Sequence, residues 1–211
     1  MNRHLIDAFE TLETDAANIS YLDLPGLENR PIPHFAVSAN VSSSLPIPTH
    51  LIVEKGDLRI GVTGITKVDA SFAPHPSFQL EDPTASAIQV LEELKSEVDL
   101  LVLLAFDCAE SAQEVAQAVP ELDLIVDTRQ NRQHAPPLKI GNTLWVKSHY
   151  QTMRLGELRV NTTETGQLEL VRDRKIDLDP EISDEPKMLE KMDQAREAIN
   201  AIQTKLFGLS E

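Results

Sequence analysis

Residues 98–110 read VDLLVLLAFDCAE. From Leu100 to Phe106 no polar side chain interrupts the run, and the pattern turns helical just beyond Asp107 and Cys108. An unbroken apolar run of this length is the pattern of a parallel strand covered on both faces. Residues 111–118 then read as a helix and LDLIVD, residues 122–127, as a second buried strand. The three form a strand–helix–strand unit with a right-handed crossover as its default. Proteins built from such units keep their chemistry at the carboxyl ends of the parallel strands. Here those ends carry Phe106, Asp107 and Asp127, and a phenylalanine at such a tip needs an explanation.

Working outward, Leu5, Ile6, Phe9 and Leu12 recur at helical spacing and predict a helix over residues 2–12. A short strand is expected over 15–21, a proline-rich loop over 25–33 and a strand over 35–41. Two β-rich runs, 51–54 and 58–65, flank Lys55-Gly56-Asp57 and predict a hairpin. Gly61 and Gly64 in its second strand point to close backbone packing. A polar connection over 69–83 leads to a helix capped by Thr84 and running to about Lys95. After the central unit, short strands are expected over 138–140, 143–147, 156–161 and 168–173, with turns at Gly141-Asn142 and at residues 164–166. The class is α/β with a mixed sheet, or two sheets packed face to face.

The last element is a helix, with Ser183 as N-cap and Pro186 in its first turn. Met188, Met192, Ala195, Ile199, Ile202 and Leu206 form a heptad seam along it. Such a seam suits a helix lying along its own domain or one pairing with another chain. The expected organisation is a body over residues 1–180 and an appended amphipathic helix over 181–211.

The chain has 211 residues, 41% apolar and 25% charged, with a formal net charge of −15. Acidity of this degree repels nucleic-acid phosphates and anionic lipid surfaces, so neither is an expected partner. Cys108 is the sole cysteine, which excludes an internal disulfide and a cysteine-rich metal site. The opening MNRHLIDAFETLETD lacks the apolar core of a signal peptide, and the expectation is a cytoplasmic protein.

The six histidines show none of the i,i+3 or i,i+4 spacings of helical metal sites. There is no Walker-type phosphate loop and no GxSxG nucleophile elbow. Cys108, beside a helix start but without a neighbouring base in sequence, reads as an inert residue. Asp107 and Asp127 would either hold a cation or cap the segments that follow, and capping is the expectation. Residue chemistry thus gives a fold and a site edge without a catalytic set.

The order of five segments adds a family resemblance. HFAVSANV, GDLRIGVTGIT, DPTASAIQVLEELKSEVDLLVLLA, AVPELDLIVDTRQNRQ and GNTLWVKSHYQTMRLGELRV resemble, in order and spacing, the 5′-nucleotidase-like branch of the calcineurin-type metallophosphoesterases. The resemblance covers about residues 5–180 and implies a mixed-sheet metallophosphoesterase-like sandwich. It begins after the family's opening DxH strand and GD motif, so it implies an N-terminally truncated domain with a long C-terminal helix.

In that family, His, Asp and Asn or Gln side chains hold two divalent metals that activate a water for attack on phosphorus. Carried over position by position, the family's GNHE falls on Ser20, Tyr21, Leu22 and Asp23. The SH after the apolar strand falls on Ala105 and Phe106, and GGHSH falls on Asp127, Thr128, Arg129, Gln130 and Asn131. Tyr21, Leu22, Phe106, Arg129 and Asn131 are therefore the positions of a degenerate site, of which Asn131 alone retains a metal-binding side chain. Leucine and phenylalanine have no donor atom, and the fixed charge of Arg129 repels a cation. Arg129 would instead bind a phosphate or carboxylate, or serve as a salt-bridged loop residue.

What the resemblance implies is a non-catalytic domain acting as a structural or protein-interaction module, with no catalytic residues, no metal and no cofactor. The alternative is a phosphoric ester hydrolase subunit completed by a companion or N-terminal segment. A small-anion sensor using Arg129 is a third class. A protein partner or a second copy is expected at the uncovered sheet edge or along the C-terminal helix. Family members are commonly exported, which sets that expectation against the cytoplasmic one.

Overall fold

The structure, a computed structural model, describes residues 2–27, 30–67, 78–128, 136–148, 154–164 and 166–208. The chain opens with helix α1 (Asn2–Thr11), then strand β1 (Ala17–Asn18), the one-turn helix α2 (Leu24–Leu27), and strands β2 (Ala36–Val37) and β3 (Val41–Ser43). The hairpin β4 (His50–Lys55) and β5 (Leu58–Thr66) follows, then β6 (Phe78–Leu80) and helix α3 (Pro83–Leu94). Next come β7 (Leu100–Phe106), α4 (Ala109–Ala118), β8 (Leu124–Asp127), β9 (Leu138–Ile140) and β10 (Thr143–Lys147). The ribbon β11 (Arg154–Thr162) and β12 (Leu168–Asp177) precedes the last helix, α5 (Pro186–Phe207).

Six strands form one mixed sheet in the order β4-β5-β7-β8-β10-β9. β5, β7, β8 and β10 run parallel, and the edge strands β4 and β9 are antiparallel to their neighbours. The rest of the pairing is fragmentary, with β1 parallel to β2, β3 antiparallel to β6, and β11 antiparallel to β12. The mixed sheet agrees with the sequence, and among the described residues three two-stranded pieces stand in place of a second full sheet.

Two clusters hold this together. Helices α3 and α4 press Val90, Leu91, Leu94 and Val115 onto Leu103 and Ile125 of the sheet. Each such aliphatic side chain contributes about 1.5–3 kcal/mol by leaving water. A second cluster, on Ile6, Ile19, Leu24, Leu27 and Phe35, packs α1 against β1 and α2. Phe9 meets Phe35 edge to face there, with centroids 6.1 Å apart.

Burial along β7 corrects one expectation. Leu101, Leu103 and Ala105 are buried, whereas Leu100, Val102, Leu104 and Phe106 are only half covered. The strand is apolar on both faces, but α3 and α4 seal just one of them. The face carrying Leu104 and Phe106 also carries Leu124 and Val126 of β8, equally half covered.

Several boundaries move for local reasons. The strand expected over 15–21 pairs only at Ala17 and Asn18, and the proline-rich loop begins inside α2. The strand expected over 35–41 is divided where Asn40 turns inward. Its Nδ2 donates to the Thr66 and Glu81 carbonyls, and its Oδ1 accepts from the Thr66 amide. Asp82, not Thr84, caps α3: its Oδ1 accepts from the Ala85 amide at 2.7 Å, with Pro83 at the first helical position. Glu185 rather than Ser183 caps α5 by the same geometry. α5 touches α1 and leaves Met192, Ile202 and Leu206 largely exposed.

Candidate functional site

Strands β5, β7 and β8 end side by side, with Thr66 in register with Phe106 and Ala105 with Asp127. β1 crosses these ends. Asn18 fixes it there by donating from Nδ2 to the Ile65 carbonyl at 2.7 Å. The side chain of Asn18 lies directly over Gly64, where a Cβ would meet its Oδ1 at 2.3 Å. The glycine therefore exists to let β1 approach β5, the close packing its position in the sequence implies.

The chain leaves β1 through Ser20 and reaches Tyr21, whose ring meets Phe106 edge to face at a centroid distance of 6.2 Å. Leu22 and Phe106 line one groove of about 440 Å³ together with Thr128, the residue before Arg129. Three of the five positions that the resemblance singles out, Tyr21, Leu22 and Phe106, are thus brought together at the strand ends. Arg129 and Asn131 lie outside the described residues, as do His75, His134 and His149.

Leu104 to Phe106 form the floor of the groove, residues 16–20 one wall, and Leu5, Ile6 and Phe9 of α1 the other. The amphipathic spacing of α1 is plain in the sequence, but nothing there says that its apolar face is turned toward the strand ends. Asn18 and the α1 residues are the site residues that sequence reasoning missed.

The acids near the groove sit in different surroundings. Asp23 accepts from the Ser20 amide at 2.9 Å and the Ser20 hydroxyl at 2.6 Å, closing the turn into α2. Asp127 is fully buried at the end of β8. Asp107 takes a left-handed conformation, with φ of 54°. It does not cap α4 as expected: the N-cap is Cys108, which makes no side-chain capping bond.

Cys108 is buried, and its thiol donates to the Phe106 carbonyl at 2.9 Å. Burial pushes the thiol up to about 12; the charges of Asp107 and Asp127 add to this, while the Phe106 contact and Lys67 act against it. A thiol held protonated is a poor nucleophile and a poor metal ligand.

A pair of divalent metals needs converging carboxylate, imidazole or amide donors. The strand ends present the Tyr21–Phe106 ring contact instead, with Leu22 lining the same groove as Phe106. Among the described residues no three His, Cys, Asp or Glu side chains come together within reach of one ion. These residues do not fit a dimetal centre.

No protein-family model and no curated protein matches the sequence. Solved structures do match. The 5′-nucleotidase precursor of Thermus thermophilus aligns with a TM-score of 0.73 at 20% identity, over 95% of this chain and 46% of its own. NAD nucleotidase of Haemophilus influenzae gives 0.68 at 16% identity, over 92% of this chain and 48% of its own. The sulfate thiohydrolase SoxB of Thermus thermophilus gives 0.69 at 14% identity, over 95% and 40%. The chain spans less than half the length of each of these structures. Among the described residues no helix is long and apolar enough to cross a membrane. The chain has the mixed-sheet fold of the 5′-nucleotidase-like metallophosphoesterases.

Proposed function

We propose that this chain is a non-catalytic form of the 5′-nucleotidase-like fold that works as a protein-interaction module, with residues 181–211 as an appended helix. The observation that carries the reading is the apolar contact of Tyr21 with Phe106 beside Leu22, at the strand ends where the fold's metals would be held. A site that activates water needs a Lewis acid or a base within reach. Phenylalanine and leucine supply neither, and Tyr21 turns its ring edge to face against Phe106. The exposed apolar side chains of the same region, Leu5, Phe9 and Leu22, suit contact with another polypeptide.

The second reading is a phosphoric ester hydrolase completed by residues from another segment, favoured by the fold it shares with nucleotidases. One assay puts the non-catalytic reading at risk. The purified chain is incubated with bis-p-nitrophenyl phosphate and with AMP, in Mn²⁺, Zn²⁺ or Mg²⁺. The expected result is no release above the metal-only blank. Metal-dependent turnover that disappears in Asp127→Asn would overturn the non-catalytic reading.

A further inference from the structure

We propose that the groove between β1 and α1 accepts an extended strand of a second polypeptide, which pairs with the open edge of β1 and covers the half-exposed face of β7 and β8. This rests on the interaction-module reading and names the kind of partner.

The first support is the backbone. Ala17 and Ile19 donate their amides to the Phe35 and Val37 carbonyls, both at 2.8 Å, so the odd residues of β1 face β2. In a parallel ladder alternate residues turn their amide and carbonyl to opposite edges. The backbone groups of Asn18 therefore point away from β2, and among the described residues no strand pairs with that edge. Residues 16–20 line the groove, and the backbone of Ser20 on that edge is already engaged by Asp23, which leaves Asn18 as the point of pairing. An open strand edge along a groove is a template for strand addition.

The second support is the floor. Leu104 and Phe106, both only half covered, line the groove, and the half-covered Val102, Leu124 and Val126 extend the same apolar sheet face beyond it. An added strand sends alternate side chains downward. One set would meet this floor while the other met Leu5 and Phe9, which are 56% and 43% exposed. A helix laid in the same groove would cover apolar surface yet leave the edge of β1 unpaired.

Charge selects the partner. With a formal net charge of −15, two copies of this chain repel each other. The fitting occupant is a short run of alternating aliphatic and polar residues with basic ends, which also suits Asp23 on the groove wall.

The test uses a short peptide alternating valine and threonine between terminal lysines. Three comparisons accompany it: the same peptide N-methylated at alternate backbone nitrogens, a glutamate-ended version, and the Leu5→Asp and Phe106→Asp variants of the full chain. Expected are saturable binding of the lysine-ended peptide and amide exchange at Asn18 slowed at least about tenfold. Affinity should fall about tenfold or more on N-methylation and in Leu5→Asp, and to a smaller degree with glutamate ends. Leu5 is more than half exposed, so that variant keeps the test valid even if Phe106→Asp fails to fold. Absence of binding at millimolar peptide, or binding that leaves Asn18 exchange unchanged, would overturn the proposal. Slow Asn18 exchange without peptide, rising with protein concentration as the chain self-associates, would overturn it in favour of a second copy. Metal-dependent hydrolysis would remove the non-catalytic reading whatever the peptide does, whereas an inert protein that ignores the peptide removes the strand alone.

Discussion

The rings of Tyr21 and Phe106 meet edge to face at 6.2 Å and 63°, tying the turn after β1 to the tip of β7. Aromatic pairs in this geometry are worth about 0.5–1.5 kcal/mol beyond the area they bury. The cycle of Tyr21→Leu, Phe106→Leu and the double variant, read by urea unfolding, should give a coupling of that size. Strictly additive losses would mean that the two rings are neighbours without an energetic link.

A methyl group at residue 64 should displace Asn18. Gly64→Ala puts a Cβ 2.3 Å from Asn18 Oδ1 and endangers the bond from Asn18 to the Ile65 carbonyl. Overpacking of this kind costs about 1–3 kcal/mol. Adding Asn18→Ala should leave the double variant less destabilised than the two single losses summed. Gly61→Ala is the control: its Cβ would sit 3.1 Å from Val98 Cγ2, a contact that a small side-chain shift relieves, so a milder loss is expected. Equal losses at the two glycines would refute the account of β1 docking on β5.

Comparison with the sequence shows which signals were readable. The central unit, the hairpin and strand β10 were legible because burial writes apolar runs into the chain, and β9 was legible through the tight turn at Gly141 that joins it to β10. β6 was not, since three residues pairing with β3 are too few to establish a period. The capping acid at Asp82 was obscured by Thr84, which offers the same chemistry two residues later but donates its hydroxyl to Glu114 instead. At the site, the resemblance named Tyr21, Leu22 and Phe106, and their meeting in space follows from β1 crossing the parallel strands. The wall supplied by α1 was invisible, because an amphipathic spacing fixes which side of a helix is apolar but not what that side faces.

Cys108 should resist alkylation. Burial holds the thiol near 12, so almost none is thiolate near neutral pH. Iodoacetamide should label the urea-unfolded chain to completion in a time that leaves the native chain unlabelled. Native labelling at the unfolded rate would show that the β7–α4 junction opens readily.

Asp123 should weaken the fold at neutral pH. Its carboxylate accepts from the Leu101 amide at 2.8 Å, but burial outweighs that bond and holds its pKa above the usual aspartate value. A carboxyl with a higher pKa in the fold than in the unfolded chain binds its proton more tightly when folded. Its stabilising contribution is present below the ordinary pKa and is lost as pH rises through the elevated one. Asp123→Asn, which keeps an acceptor for Leu101, should raise the melting temperature at neutral pH, with the gain vanishing in acid. A gain that does not change with pH would rule out titration of this carboxyl as its source.

The alternation along β7 has an evolutionary consequence. Polar replacements at Leu101, Leu103 or Ala105 strike the packed side of the strand and should abolish folding, whereas replacements at Val102, Leu104 or Phe106 change the open side. In a deep mutational scan this strand should show tolerance with a period of two. Lineages descending from a common ancestor can then diverge in what they bind through one set of positions while inheriting the architecture through the other.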